Sequence, residues 1–122
     1  YEYALNYAQE RNAFGKPIFH HQSIGFKLAD MATQIELART MLHSVATLRD
    51  NNMPCTKQAC MVKLFASEMA EKVIHDAMQI LGGYGYLEDY PLARIYADAR
   101  VCSVYEGTSD IQKLIIGRQL AG

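Results

Sequence analysis

The stretch TKQACMVKLFASEMAEKVIHDAMQIL, residues 56–81, decides the fold, because its apolar side chains recur at the spacing of an α-helix. The apolar positions form two adjacent stripes: Val62, Phe65, Met69, Val73 and Ile80 in one, and Ala66, Ala70, Ile74 and Leu81 in the other. Together the stripes make a face too wide for a single neighbour. The pattern predicts a helix over 56–81 that packs against helices on two sides. Glu68 and Lys72, four residues apart, are expected to pair on its outer surface.

The same period continues on both sides of this helix. Helices are predicted from Tyr1 to about Asn12, where FGKP stops the pattern, from about Gln22 to Asn51, and from about Pro91 to Arg100. The second of these carries an apolar stripe, namely Ile24, Leu28, Met31, Ile35, Ala38, Leu42 and Val45. No alternating pattern of strands competes with the helical one. Long helices with short connections predict an all-α fold, an antiparallel four-helix bundle with one short extra helix.

The last predicted helix begins near Ser109. Ser109 and Gln112 have the spacing of a capping box, and Asp110 lies in a first turn that favours negative charge. Beyond the cap, the apolar side chains are expected to face inward, namely Ile111, Leu114 and Ile115. The tyrosines of the segment before it are expected to pack between helices, namely Tyr84, Tyr86, Tyr90 and Tyr96.

Composition describes an ordinary soluble globular domain. The chain has 122 residues, half of them apolar and a fifth charged, with a net charge of -1. The sequence has no basic excess, so nothing in its charge predicts a nucleic-acid partner. No apolar run is long enough to predict a membrane span. The three cysteines lack a C-x-x-C spacing and the four histidines lack the spacing of a ligand set, so we expect reduced thiols and no metal site. Because the chain begins without Met and already in helical rhythm, we expect it to be a piece of a longer protein.

Three places in the sequence each allow two interpretations. Glu106, in the stretch VYEGTSDIQ, either complements the positive end of a helix or is a base whose proton affinity is raised against the ring of Tyr105. Arg11 is either a solvated residue at a helix end or a planar cation that binds phosphate. Gly82 and Gly83 either end a helix or let a sugar or base approach the backbone.

Three segments in a fixed order resemble one family. ERNAFGKPIFHHQSIGFKLADM, DAMQILGGYGYLEDYPLARIYADAR and VYEGTSDIQKLIIGRQL are similar to segments of the C-terminal domain of the acyl-CoA dehydrogenase family of flavoproteins. The resemblance covers about 3–120. It implies that residues 1–122 are a single C-terminal helical domain, and that the N-terminal helical and middle β domains of a longer FAD-dependent protein are absent.

The resemblance also implies a catalytic residue. Glu106 matches the family's base, which removes the α-proton of an acyl-CoA thioester while hydride passes to flavin N5 to give the 2-enoyl-CoA. The backbone N–H of Glu106 corresponds to a donor to the thioester carbonyl. Tyr105 and Gly107 correspond to substrate-binding positions, with Gly107 leaving room for the substrate beside the backbone.

Further positions match family contacts to FAD. Arg11 corresponds to an arginine that reaches the FAD pyrophosphate of a neighbouring subunit, and the segment from Gln79 to Gly83 approaches the adenosine portion across a dimer interface. The positions implied to bind the cofactor are Arg11, Phe14, Gln22, Gln79, Ile80, Leu81, Gly82, Gly83, Thr108, Ser109 and Asp110. Ala93 and Ala97 depart from the commonest family pattern, which has an acidic residue at 93 and an arginine at 97. An ion pair made by those side chains is therefore in doubt.

The function implied is α,β-dehydrogenation of acyl-CoA by a homodimer or homotetramer, with an electron-transferring flavoprotein as acceptor. The compartment implied is the cytoplasm of a bacterium or the mitochondrial matrix of a eukaryote. The fragment by itself is expected to be inactive and to bind FAD weakly. Two alternatives stay open: a flavoprotein relative that acts on a non-thioester substrate, and a non-catalytic helical assembly module. Relatives that prefer long-chain or isovaleryl substrates carry the base on an earlier helix, so Glu106 argues against those subtypes.

Overall fold

The computed structural model describes residues 1–121, which fold into five α-helices and one very short hairpin. The helices are α1 (Glu2–Glu10), α2 (Gln22–Asp50), α3 (Thr56–Leu81), α4 (Pro91–Arg100) and α5 (Ser109–Ala121). Short 3-10 turns lie at Ile18–His20, Gly82–Gly85 and Val101–Ser103. The predicted all-α bundle is confirmed, and the predicted bounds of α3 and α4 coincide with those observed.

Helix α3 is the centre of the bundle, and each of the other four helices packs against it. The core consists of side chains that α1, α2, α3 and α4 bury together, namely Ala4, Ala8, Leu28, Met31, Val73, Ala77, Ile80, Leu81 and Leu92. Ala4 and Ala8 are fully buried, and their small size lets the short helix α1 lie close against α3. This packing brings the end of α1 next to the carboxyl end of α3.

A two-stranded hairpin follows α1, and the helical pattern of the sequence did not predict it. Strand β1 (Asn12–Ala13) pairs antiparallel with β2 (Lys16–Pro17). Phe14 and Gly15 at its tip have positive φ angles of 52° and 81°, the conformation of a tight two-residue hairpin turn. Strands of two residues are too short to show an alternating pattern, so no sequence signal marked them.

Several apolar side chains that were predicted to face inward are exposed. Leu42 on α2 is 55% exposed, and Ile111 and Leu114 on α5 are 45% and 47% exposed. Helices α2 and α5 pack mainly on α3, so the parts of their stripes that turn away from α3 have no neighbour within residues 1–121. On α5 the buried side chain is instead a polar one, Gln112, at 6% exposure.

The tyrosines of the glycine-rich segment behave differently from one another. Tyr84 stacks near Tyr7 and Tyr90, with ring centroids 6.3 and 5.3 Å apart, which agrees with the predicted packing. Tyr84 and Tyr96 are 41% and 40% exposed and are therefore only partly packed, whereas Tyr86 is 81% exposed and the prediction is wrong for it.

The ion pair expected between Glu68 and Lys72 is replaced by others. Lys72 donates to Asp76 at 2.8 Å and Lys27 of α2 donates to the other oxygen of Asp76 at 3.1 Å, while Glu68 pairs with Lys113 of α5 at 3.5 Å. Burial acts to raise the pKa of Asp76, but the hydrogen bonds and charges of the two lysines outweigh it and lower the pKa below its usual value. The buried carboxylate therefore connects α2 with α3.

Replacing this carboxylate tests the connection. Because the folded-state pKa is lowered, ionised Asp76 stabilises the fold above about pH 4, and the contribution is lost as the pH falls through the folded-state value. We expect Asp76→Asn to lower the free energy of unfolding by about 1–3 kcal/mol at pH 7 and to change it little in strong acid. Urea unfolding across this pH range measures both values. Glu36→Gln, which removes an exposed pair with Arg39, is the control; equal losses in the two variants would contradict the assignment.

Candidate functional site

The segment between α4 and α5 carries Glu106 in an unusual backbone conformation. Glu106 has a φ of 53° and Gly107 has a φ of 89°, so two successive residues are left-handed. For a residue with a side chain this conformation costs about 1–2 kcal/mol. Such strain persists only where the surrounding structure holds it, and it is frequent at functional sites.

Two side chains hold this turn by its carbonyl groups. Lys63 Nζ on α3 donates to the Gly107 oxygen at 2.7 Å. Gln112 Nε2 on α5 donates to the oxygens of Glu106 and Gly107 at 3.2 and 3.1 Å. Both carbonyl groups therefore point into the bundle. Within residues 1–121 the backbone N–H groups of Glu106 and Gly107 have no acceptor, which leaves them available to a ligand oxygen.

The capping box predicted at Ser109 and Gln112 is wrong by one residue. Thr108 is the cap: its Oγ1 accepts from the N–H of Ile111 at 3.3 Å, and its carbonyl accepts from the N–H of Gln112 at 3.0 Å. The Gln112 side chain binds carbonyl groups, so it is not available to complete a capping box. Ser109 Oγ is buried and has no hydrogen-bond partner among the described residues.

Glycine at 107 has two structural reasons. Its φ of 89° favours a residue without a side chain, and a Cβ there would lie 2.7 Å from Gln112 Nε2. The φ favours glycine by itself, and a side chain at 107 would in addition displace the Gln112 amide from the carbonyl groups that it binds. Its predicted role of leaving room for a substrate stays a prediction.

Tyr105 does not bury Glu106 within the described chain. Its ring is half exposed, and its hydroxyl lies 3.3 Å from Cys102 Sγ, a hydrogen bond that raises the pKa of Tyr105. Glu106 is exposed, and its carboxylate has no hydrogen-bond or ion-pair partner within residues 1–121. The dry surroundings expected for this carboxylate are thus not supplied by the described residues.

A second group of predicted site residues meets at the other end of α3. They line a groove of about 540 Å³ together with two tyrosines, and the lining includes Tyr7, Arg11, Gln79, Ile80, Leu81, Gly82, Gly83 and Tyr84. Arg11 Cζ lies 6.0 Å from the centroid of the Tyr84 ring, and no carboxylate among the described residues pairs with Arg11. A planar cation so placed suits a bidentate anion such as a phosphate.

The backbone and the side chains of this glycine segment have separate roles. Ile80 and Leu81 belong to the buried core, so each offers little surface to a ligand in the groove. Gly82 has a φ of 60°, and both it and Gly83 are exposed; a Cβ at either would meet nothing within 4 Å. Gly82 also ends α3, where its N–H donates to the oxygen of Gln79. The interpretation as a helix cap is confirmed, and the ligand contact is compatible with it.

Phe14 lies at the tip of the hairpin, and Gln22 is the first residue of α2. Phe14 is 96% exposed, and its ring makes an edge contact with His21 at 5.9 Å. His21 Nε2 lies 3.0 Å from the Ala13 oxygen and ties the hairpin to α2. Apart from this edge contact the Phe14 ring is exposed, so its predicted contact with the cofactor stays a prediction.

The two groups of residues are far apart. Lys63 marks the Glu106 turn and Leu81 marks the groove, and at 1.5 Å per residue they are separated by roughly 27 Å along α3. Sequence reasoning did not find Lys63, because the contact joins residues 44 positions apart and leaves no local pattern. Gln112 was noted only for its capping spacing.

Other kinds of site find less support in this part of the chain. Cys55, Cys60 and Cys102 are free thiols, as predicted. Within residues 1–121 no three His, Cys, Asp or Glu side chains are grouped so that they could hold a metal ion. None of the helices described here is both long and apolar enough to cross a membrane.

The structure is thus a helical domain with two separate groups of candidate site residues. One is the exposed turn that carries Glu106, and the other is the groove that contains Arg11. The family described as "Acyl-CoA dehydrogenase, C-terminal domain" matches residues 1–121. The chain therefore belongs to this family, as the resemblance predicted.

Individual relatives agree. The chain is 50% identical over 121 residues to an acyl-CoA dehydrogenase of Bacillus subtilis (strain 168). This match covers 99% of this chain and 32% of the relative. It is 51% identical over 117 residues to the mitochondrial short-chain specific acyl-CoA dehydrogenase of Bos taurus, covering 96% and 28%. The solved structure of butyryl-CoA dehydrogenase from Megasphaera elsdenii superposes with a TM-score of 0.95 at 44% identity, covering 98% and 31%. The chain thus spans about a third of the length of these relatives.

Proposed function

We propose that this chain is the C-terminal domain of an FAD-dependent acyl-CoA dehydrogenase in which Glu106 is the catalytic base. The observation that carries the proposal is the left-handed Glu106–Gly107 turn, whose carbonyl groups point inward and whose carboxylate and N–H groups have no partner within residues 1–121. A non-glycine residue held in the left-handed region is frequent at functional sites, and this supports the proposal.

In the proposed reaction the carboxylate of Glu106 accepts the α-proton of a thioester. The backbone N–H of the same residue donates to the thioester carbonyl oxygen and stabilises the negative charge that develops there. When bound, FAD supplies the acceptor for the β-hydride. The other domains and the substrate would cover Glu106, remove water from its carboxylate and raise its proton affinity toward that of the α-carbon acid.

The groove at the carboxyl end of α3 fits part of FAD. Arg11 offers a guanidinium with no carboxylate partner among the described residues, and Gly82 and Gly83 offer exposed backbone. Thr108, Ser109 and Asp110 lie at the other end of α3, too far away for the same part of one cofactor. The separation of roughly 27 Å therefore favours two cofactors shared between subunits, and hence a homodimer or homotetramer.

The substrate class and the partner follow from the relatives' names and the resemblance. Because one relative is named short-chain specific and another butyryl-CoA dehydrogenase, we propose a short acyl-CoA as the substrate. An electron-transferring flavoprotein is the proposed acceptor. The proposed compartment is the bacterial cytoplasm or the mitochondrial matrix.

Mixing the purified full-length protein with acyl-CoAs tests this function. We expect a yellow protein whose flavin absorbance bleaches fastest with butyryl-CoA and slowly with palmitoyl-CoA. Residues 1–122 alone are expected to be colourless and inactive, because they hold only parts of each cofactor site. If the protein binds flavin but no acyl-CoA bleaches the flavin absorbance, the result would favour a relative that acts on a non-thioester substrate. If the protein binds no flavin, the result would favour a non-catalytic assembly module.

A further inference from the structure

Lys63 is a charged side chain that crosses from α3 to the turn carrying Glu106. Its partly buried ammonium donates to the Gly107 oxygen at 2.7 Å. A charge-assisted hydrogen bond of this length is stronger than one between neutral groups. Gln112, the other side chain that binds these carbonyl groups, is neutral and donates over longer distances of 3.1 and 3.2 Å.

We propose that Lys63 is a positioning residue for the Glu106 base, an inference that rests on the proposed function. The left-handed pair Glu106–Gly107 is intrinsically unfavourable at its first residue, so an external interaction has to select it. Lys63 does so by holding the Gly107 carbonyl inward. The carboxylate and the N–H of Glu106 are then kept on the outer side, where a thioester could meet both.

Loss of Lys63 would leave the turn to Gln112 alone. The neutral amide of Gln112 donates to the two carbonyl groups over 3.2 and 3.1 Å, so it holds the Gly107 oxygen less firmly than the charged donor at 2.7 Å does. The Glu106 residue could then relax toward negative φ, which moves its carboxylate and rotates the neighbouring N–H groups. A displacement of about 1 Å at a reacting group is enough to lower a rate about 100-fold.

The test compares Lys63→Met with Lys63→Arg in the full-length protein. We expect Lys63→Met to lower kcat about 10- to 100-fold with little change in KM. Lys63→Arg keeps a charged donor and is expected to recover most of the loss. Lys57→Met is the matched control on the same helix, since Lys57 has no side-chain partner within residues 1–121, and its kcat should stay at the wild-type value.

Two further measurements separate positioning from a general loss of stability. Hydrogen exchange of peptides covering 104–112 should be faster in Lys63→Met than in Lys57→Met, while flavin content and thermal midpoint stay similar. In a Glu106→Gln background, Lys63→Met should cause no further loss, because residues that act as a unit are not additive. If Lys63→Met does not fold, Lys63→Gln carries the same expectation.

The results that would contradict the role of Lys63 differ from those that would contradict the role of Glu106 as the base. A wild-type kcat in Lys63→Met, or an equal further loss in the Glu106→Gln background, would overturn the positioning role. Unchanged turnover in Glu106→Gln alone would instead remove the proposed base.

Discussion

Glu106→Gln in the full-length protein is expected to lower kcat by about 100- to 10,000-fold, because an amide cannot accept the α-proton. The exposed carboxylate has no partner within residues 1–121, so its replacement should leave the fold unchanged. The backbone N–H of residue 106 stays in place, and substrate binding should therefore change much less than turnover. Flavin bleaching by butyryl-CoA under single-turnover conditions measures the chemical step directly.

Glu88→Gln is a suitable control for this prediction. Glu88 is also an exposed carboxylate in a connecting segment, and no hydrogen bond or ion pair joins it to the described residues. Its replacement changes the net charge by the same amount and should leave turnover at the wild-type value. Equal activity in the two variants would exclude Glu106 as the base.

Gly85→Ala is expected to lower the free energy of unfolding by about 3 kcal/mol. Gly85 is buried, and a Cβ there would lie 2.5 Å from the Met78 oxygen and 2.9 Å from its Cα. Both atoms belong to the backbone of α3, so relief requires the helix or the turn to move. Thermal and urea unfolding of the chain measure the loss, which corresponds to a lower midpoint by about 10 °C.

Gly83→Ala provides the matched control, two residues away in the same 3-10 turn. A Cβ at Gly83 would meet nothing within 4 Å, and its φ is not in the left-handed region. We expect its effect on stability to stay within about 0.5 kcal/mol. If both alanine variants are equally stable, the close approach of Gly85 to Met78 does not constrain this turn.

The helices were predictable because their signals are local. The apolar period of 56–81, the proline at the start of α4 and the glycines after α3 specified the ends of two helices correctly. Which faces are covered was not predictable in the same way. Ile111 and Leu114 have the spacing of an inward stripe, yet α5 buries Gln112 instead, because the carbonyl groups of the Glu106 turn need a donor there.

The candidate site was predictable only in part. The motif around Glu106 identified the turn, and the glycine motif and Arg11 identified residues that do meet in one groove. The left-handed φ of Glu106 and the contact with Lys63 were not predictable, since both depend on how α3 lies against the turn. The exposure of Glu106 shows that its local neighbours do not provide the dry surroundings expected of a base.

The length of α3 has a genetic consequence for the proposed dimer. Arg11 and Glu106 lie near opposite ends of this rigid helix, so each would serve a different copy of the cofactor. Two inactive alleles, one changed at Arg11 and the other at Glu106, would then restore one intact centre when their products assemble together. Alleles that both change Glu106 would not complement each other.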